Sequence, residues 1–561
     1  MTGPTAPAAP VPPSPAAAAG PGPEASQSPG RAAWLRALAV PAVVVGLCAR
    51  SVVQPGYYLL VDIAFGPRAR LPEWSFNAVV PFAVHLLGGA VGGRMVLAGT
   101  LFLVTFSPMV LFRRAPWPVQ IAAGLLGGLN PFVYDRLEEG QWLIAAGAGG
   151  LCLWVAAFEG LQRRPGRRWA LALAAATVGI VALDEHEIGM LLVLGLCGLV
   201  GTAAWRDPLR RRWTLAAAGL AGVVLLYGVV PFFLGHGGGT YPTVARFGRP
   251  DLLAFRSTAS HRYGLWVNLL GLYGEWGERL GRFPLAKAGA PWWPIPSLLL
   301  AGAAVAGAAL RRDRAWLLAV GGIGLLVSAS TATPLGLSLA LAAIRHLPLL
   351  AAYREPEKWS ALWLLALVVL VPSALERAGR WRSGNPSGRA ALPLLAGVVM
   401  VATLLPAGAS MIRNLPGDIV PVAYPRSWTA AAAYLRRHVP AADTVLVLPW
   451  HLYEGLPFTG YRVTANPASV IFPGRLLTPT DLQIPGRTTE VPSPHHIGSL
   501  ALAPGTRSCQ LAAAVRATGI HWVVIEDAAG GLGDGLRLQR CGFRVREGTL
   551  NGVNAVAVLS G

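Results

Sequence analysis

Eleven apolar stretches divide this chain, at roughly 34–53, 94–112, 117–134, 141–159, 169–183, 188–204, 214–233, 294–310, 315–331, 359–375 and 391–411, most of them near the ~20 residues a helix needs to cross a bilayer. The gaps between them alternate in character. Arg113-Arg114, the Arg163 to Arg168 run, the Arg206 to Arg212 run, Arg311 to Arg314 and Arg377 to Arg389 form one basic set. The intervening gaps carry acids instead: Asp62, the Asp135/Glu138/Glu139 group, and Asp184-Glu185-His186-Glu187. Short loops rich in Lys and Arg remain on the cytoplasmic side. The pattern predicts an α-helical polytopic membrane protein of about 11 transmembrane helices with its N-terminus inside and its acids outside. Arg68, Arg70 and the arginines of the loop near 234–293 lie in long gaps, where the charge rule weakens.

Composition supports a chain that meets lipid. Of 561 residues, 53% are hydrophobic and 13% are charged, against about 25% charged in soluble domains. Mean hydropathy is +0.49. The formal charge of +20 does not point to nucleic acid, because the arginines sit in short loops where anionic lipid attracts them. Lys287 and Lys358 are the only lysines; with abundant Ala, Gly and Pro, this suggests a high-GC bacterial source. Cys48, Cys152 and Cys197 fall in apolar stretches and read as small core residues. Cys509 and Cys541 fall in the outer C-terminal region, where an oxidising environment permits a disulfide.

Three regions are expected. Residues 1–33 are rich in Pro, Ala and Ser without apolar periodicity and read as a disordered cytoplasmic tail. Residues 34–411 form the transmembrane domain. Residues 412–561 read as a small extracytoplasmic α/β domain. In it, DTVLVLPW (443–450) and HWVVIEDA (521–528) suggest strands, and SWTAAAAYLRRHV (427–439) suggests a helix capped by Ser427. FRVREGTLNGVNAVAVL (543–559) suggests a hairpin with Asn551-Gly552 in its turn. The stretch Leu335 to Leu350 suggests a surface or re-entrant helix.

The polar residues on the predicted outer face are the candidates for chemistry. Asp62 follows an aromatic and apolar run, where a carboxylate suits a general base, or a solvated loop acid. In NPFVYDR (130–136), Pro131 breaks a helix, and Asp135 and Arg136 form a candidate ion pair. Asp184, Glu185, His186 and Glu187 offer carboxylate and imidazole donors that suit Mg²⁺ or Mn²⁺, or form a polar hairpin tip. Arg354 and Lys358 are placed to hold a lipid phosphate or to anchor the interface. Trp450, His451 and Tyr453 cluster at a strand end and are candidates for stacking on a sugar, or for packing a domain corner. No phosphate loop, dinucleotide fingerprint or nucleophile elbow is present.

Taken together, GYYLLVD, NPFVYDRLEEGQW, YREPEKW, YPRSW, LPWHLY and ANPA resemble a family. They are similar to actinobacterial integral membrane glycosyltransferases of the GT-C superfamily, near the arabinofuranosyltransferases of the mycobacterial envelope. The resemblance runs from about 34 to 560, and NPFVYDR is its most specific motif. It implies a multi-pass plasma-membrane enzyme that takes a sugar from a polyprenyl-phosphate donor. The acceptor would be a cell-envelope glycan or lipid on the extracytoplasmic face. It also implies an acid of the first outer loop as general base, often with a divalent cation. Asp62 fits that position better than Glu73, and the loop lacks the paired acids of some branches. A polytopic transporter or flippase of envelope lipids and a non-catalytic envelope scaffold are the alternatives. The absence of charge in the middle of the apolar stretches weighs against transport.

Overall fold

The computed structural model describes residues 31–67, 79–233, 246–281, 287, 291–381, 396–402, 407–479, 482–484, 487–489, 493–503, 509–528 and 530–561. Expectations concerning the first thirty residues, Arg68, Arg70, Glu73, Arg389 and parts of the last apolar stretch lie outside the described residues.

Helices α1 (Arg31–Cys48), α2 (Val79–Leu87), α3 (Gly89–Leu111), α4 (Trp117–Gly128), α5 (Pro131–Glu139) and α6 (Trp142–Arg163) form the first half of a bundle. Helices α7 (Arg167–Leu183), α8 (Glu187–Gly201), α9 (Pro208–Phe233), α10 (Pro294–Leu310), α11 (Trp316–Ala329), α12 (Pro334–His346) and α13 (Ser360–Trp381) complete it. Among the described residues, four helical segments are long and apolar enough to cross a membrane: Gly89–Leu111, Trp142–Arg163, Arg312–Ala332 and Pro356–Ala378. Three shorter apolar helices accompany them. The expected stretch 117–134 proves to be two helices, because Asn130-Pro131 breaks it. The Leu335 to Leu350 stretch begins with α12, capped by the Thr333 hydroxyl, with Leu335 and Leu339 exposed and Leu337 buried.

Small residues let the helices approach closely. A Cβ on Gly149 of α6 would stand 2.9 Å from the backbone of Val104 on α3, and one on Gly307 of α10 would collide with Leu370 of α13. Such positions suit helices that pack by van der Waals contact in lipid, where no apolar driving force separates tail from side chain.

A sheet follows in the last third of the chain. Its five strands run in the order β2-β1-β3-β5-β4, where β1 is Thr444–Leu448, β2 Arg475–Leu477, β3 Trp522–Glu526, β4 Arg544–Gly548 and β5 Val556–Ser560. β1 pairs in parallel with β2 and β3, and β5 is antiparallel to β3 and β4. Both expected strands and the hairpin are present. The centres of the inner strands are apolar because helices cover both faces. Trp428 fills one face, from the helix Arg426–His438. Ser427 does not cap that helix. Pro425 precedes it, and the Ser427 hydroxyl, already inside the first turn, donates to the Asn554 carbonyl at 2.5 Å.

Cys509 and Cys541 are bonded, joining the starts and ends of two helices on the other face. Closing a loop across 32 positions should stabilise this region by about 2–4 kcal/mol. Replacing both cysteines by serine should lower its thermal midpoint, measured by scanning calorimetry. An unchanged midpoint would show that the closed loop does not limit stability.

Candidate functional site

The first loop carries Asp62 at the tip of a tight reversal. Leu60 N–H donates to the Ile63 carbonyl at 2.8 Å, and Phe65 N–H donates to the Tyr58 carbonyl at 2.9 Å. The flanking aromatics anchor this reversal on the first residue of α6. The Tyr58 ring meets Trp142 edge-on at 5.4 Å, and Phe65 stacks on it at 5.8 Å. Tyr58 and Phe65 are fully buried, so the GYYLLVDIAF run is a clamp whose apolar sides fix the position of its acid.

The NPFVYDR segment supplies the opposite wall. Asn130 caps α5 by accepting from Val133 N–H at 3.0 Å, and its amide returns to the Leu126 and Gly127 carbonyls. Gly140 ends α5 in the left-handed region at φ 92. Its missing side chain also leaves room for the first loop, since a Cβ would press on Leu60 and Ile63 at 3.0 Å. Asp62 N–H then donates to the Glu139 carbonyl at 2.9 Å. Asp62 and Gln141, 79 residues apart in sequence, are thereby set side by side.

Gln141 connects the site. Its Nε2 donates to Asp62 Oδ2 at 2.6 Å and to Glu355 Oε2 at 3.0 Å, while its Oε1 accepts from Arg136 Nη1. Arg136 cannot accept and the carboxylates cannot donate, so the amide orientation is fixed. Glu355 in turn faces Lys358 Nζ at 3.1 Å and Arg354 Nη2 at 3.4 Å. The Arg354 guanidinium lies over Phe247 and Phe255, at 4.6 and 4.9 Å from their centroids. Arg136, only 1% exposed, pairs with Glu357 at 3.6 Å. The expected Asp135–Arg136 pair is corrected. Adjacent residues on a helix point about 100° apart, and Asp135, which feels the charges of Glu278, Arg136 and Lys287, forms no ion pair with Arg136 among the described residues.

Asp62 is exposed along its free edge although protein surrounds it. Desolvation by those surroundings and the Glu355 charge push its carboxyl above the usual range, opposed by Lys358, Gln141 and Arg354. Water at the open edge screens part of that push. Burial also disfavours ionisation of Glu355, but Lys358 and Arg354 outweigh it and hold its carboxyl well below the usual range.

Asp184, Glu185 and His186 converge on a neighbouring edge, each offering a donor atom within 4.8 Å of the others. Glu187 does not join them; it is buried inside α8 against Gly147. His186 Nδ1 lies 2.6 Å from Asp184 Oδ1, and its Nε2 lies 3.1 Å from the Ala352 carbonyl. Asp184, Glu185 and His186, without Glu187, are thus grouped closely enough to offer their donor atoms to one cation, as the expected Mg²⁺ or Mn²⁺ set requires. The turn also lies close enough to the site for Asp184 and Lys358 to attract each other electrostatically.

Of the three aromatic candidates beyond the bundle, Trp450 is in the core of the sheet region, packed on Gly498, and is closed to a sugar face. His451 flanks it, and its carbonyl accepts from Asn466. Tyr453, on a short strand paired with Ala465, feels the charges of Asp62, Arg354 and Glu355 and belongs to the site. The sheet region is tied to the first loop through Ala465 N–H to the Leu60 carbonyl at 2.8 Å and the Tyr424 hydroxyl to the Phe65 carbonyl at 2.9 Å. Gln141, Glu355 and Glu357 lie within the NPFVYDRLEEGQW and YREPEKW motifs but are not among the residues expected from the sequence to carry chemistry. Polar side chains directly abutting apolar stretches were the available signal.

Removing Arg136 would leave Glu357 buried without its counter-charge and Gln141 without its donor. Arg136→Met should destabilise the protein by about 3–5 kcal/mol, measured as the thermal midpoint in detergent. A change below about 1 kcal/mol would show that the pair carries little of the site's organisation.

No family model matches the chain, and no curated protein does. Solved structures do. Arabinofuranosyltransferase AftD from Mycobacteria aligns with a TM-score of 0.56 at 15% identity, over 94% of this chain and 40% of that one. ArnT from Cupriavidus metallidurans in the apo state aligns at 0.44 and 15%, over 94% and 98%. AglB from Archaeoglobus fulgidus, in complex with an inhibitory peptide and a dolichol-phosphate, aligns at 0.41 and 10%, over 88% and 69%. This chain thus spans about two-fifths of the length of AftD and shares the fold of that part.

Proposed function

We propose that this chain is a membrane glycosyltransferase that moves a sugar from a polyprenyl-phosphate donor to a cell-envelope glycan or lipid. Asp62 serves as general base. The carrying observation is the exposed Asp62 carboxylate, fixed by Gln141 beside Arg354, Glu355 and Lys358 on a bundle with this fold. The alternating loop charges favour about 11 spans with the site and the sheet region on the extracytoplasmic face of the plasma membrane.

In this reading the acceptor hydroxyl approaches Asp62, which takes its proton as the oxygen bonds to the anomeric carbon. The bond from that carbon to the phosphate oxygen breaks, and the electron pair leaves with the polyprenyl phosphate. A single displacement inverts the anomeric centre. Arg354 and Lys358 meet the charge on the leaving phosphate, exchanging part of their contact with Glu355 for it. Gln141 holds Asp62 by one oxygen and leaves the other for the proton. The raised affinity of Asp62 for a proton makes it a stronger base than a solvated aspartate.

Asp62→Asn keeps the size of the side chain and removes its basicity. Transfer of radiolabelled sugar from synthetic polyprenyl-phosphate donors should fall by about 10²–10⁴-fold, with folding and membrane insertion unchanged. A fully active variant would contradict the assignment.

The base must be ionised, so activity should fall as pH drops through the raised value of Asp62. The acid limb should therefore lie above the ~4 of a free aspartate. Glu355→Gln removes the like charge and frees Lys358 and Arg354 to act on Asp62. Both effects favour the ionised base, so the acid limb of kcat/KM should move to lower pH. A limb that stays or rises would separate Glu355 from Asp62.

A further inference from the structure

The other end of the bundle holds a second polar cavity. It has a volume of about 410 Å³ and is lined by Arg113, Arg114, Arg163, Arg311, Arg314 and Arg377, with Asp313 and Glu376 as the acids on its wall. Helix α6 runs from the Asp62 site, at Trp142, to this cavity, at Arg163. At 1.5 Å per residue its 22 residues place the two about 33 Å apart. Helix α13 spans the same distance, with Lys358 just ahead of one end and Arg377 near the other.

The arginines fall into two groups. Arg314 is committed: its Nε and Nη2 donate to both oxygens of Glu159 at 2.6 and 2.8 Å, and its Nη1 donates to the Ser373 hydroxyl at 2.9 Å. Arg163 shares Glu159 at 2.7 Å, and Arg311 bonds Asp313 at 3.0 Å and Glu376 at 3.3 Å. Arg114 and Arg377 are exposed and have no side-chain partner among the described residues. Arg113 donates to the Val110 carbonyl at 3.1 Å, while desolvation, Arg114 and Arg163 depress its affinity for its proton. A scaffold of paired arginines thus holds three further guanidinium groups against one another around an open space. Such an arrangement is relieved by an anion whose oxygens accept from several forks at once, which is the geometry of a phosphate group.

The surroundings identify its source. The cavity caps helices long enough to cross a membrane, Leu111 and Phe112 form part of its wall, and Leu310 and Trp117 are exposed beside the same loops. We infer that this cavity is a binding site for the phosphate headgroup of an anionic phospholipid, at the end of the bundle opposite the proposed transfer site.

The test measures binding of a fluorescent phosphatidylglycerol and a fluorescent phosphatidylcholine to the purified full chain in detergent micelles. Inorganic phosphate and pyrophosphate serve as soluble competitors. Wild type should bind phosphatidylglycerol at least tenfold more tightly than phosphatidylcholine. Arg113→Gln/Arg114→Gln/Arg377→Gln should weaken phosphatidylglycerol binding roughly fivefold per arginine and leave phosphatidylcholine unaffected. Arg206→Gln/Arg211→Gln/Arg212→Gln removes equal charge from exposed positions outside the cavity and should retain the preference. Equal loss in both triple variants would overturn the built site in favour of diffuse attraction. Equal binding of the two lipids by wild type, which needs no variant, would overturn it outright. Pyrophosphate binding as tight as phosphatidylglycerol would overturn the lipid as its source.

Discussion

The Gln141 side chain is the contact on which the candidate site depends. Its amide touches the first loop, the α5 segment and the segment ahead of α13. Each of its amide atoms has one allowed role, because Arg136 only donates and the carboxylates only accept. Buried polar networks are stabilising when every member is satisfied and costly when one is lost. Together with the Asp62 N–H to Glu139 carbonyl bond and the Arg136–Glu357 pair, the network therefore specifies one arrangement of the three segments.

Charge is balanced across this arrangement. Asp62, Glu355 and Glu357 face Arg136, Arg354 and Lys358, each buried carboxylate having a cation within 4 Å. The balance lets strongly polar groups sit at the end of an apolar bundle. It also separates two roles within a few ångströms. Glu355 is held ionised by its cations, while Asp62, at the open edge with a weaker claim on them, is the carboxyl poised to take a proton. Two carboxyls in unlike environments divide the labour in this way elsewhere in acid–base chemistry.

Much of the fold was legible in the sequence, for physical reasons that particular residues make plain. The apolar stretches at 94–112 and 141–159 are long enough to dominate any local preference, and both are helices. The strands at 443–450 and 521–528 are short apolar runs ended by Pro and by acids, and they became the inner strands of the sheet. Asp62 stands out in the sequence because it is a single acid in an aromatic loop. The partners of Arg136 were not legible, since Glu357 lies 221 positions away and only the folded bundle joins them. Trp450 illustrates the opposite case. Its aromatic neighbours looked like a sugar platform, whereas the space beside Gly498 draws the indole into the core.

The central claim is that Gln141 and Asp62 act as one unit in sugar transfer. A double-mutant cycle with Asp62→Asn, Gln141→Leu and the combined variant, read as kcat/KM for transfer from a synthetic polyprenyl-phosphate donor, tests it most directly. If Gln141 acts by positioning Asp62, the second substitution should cost little once the first is made, leaving a coupling well above about 1 kcal/mol. Additive losses within about 0.5 kcal/mol would mean that the two residues act independently and would contradict the account.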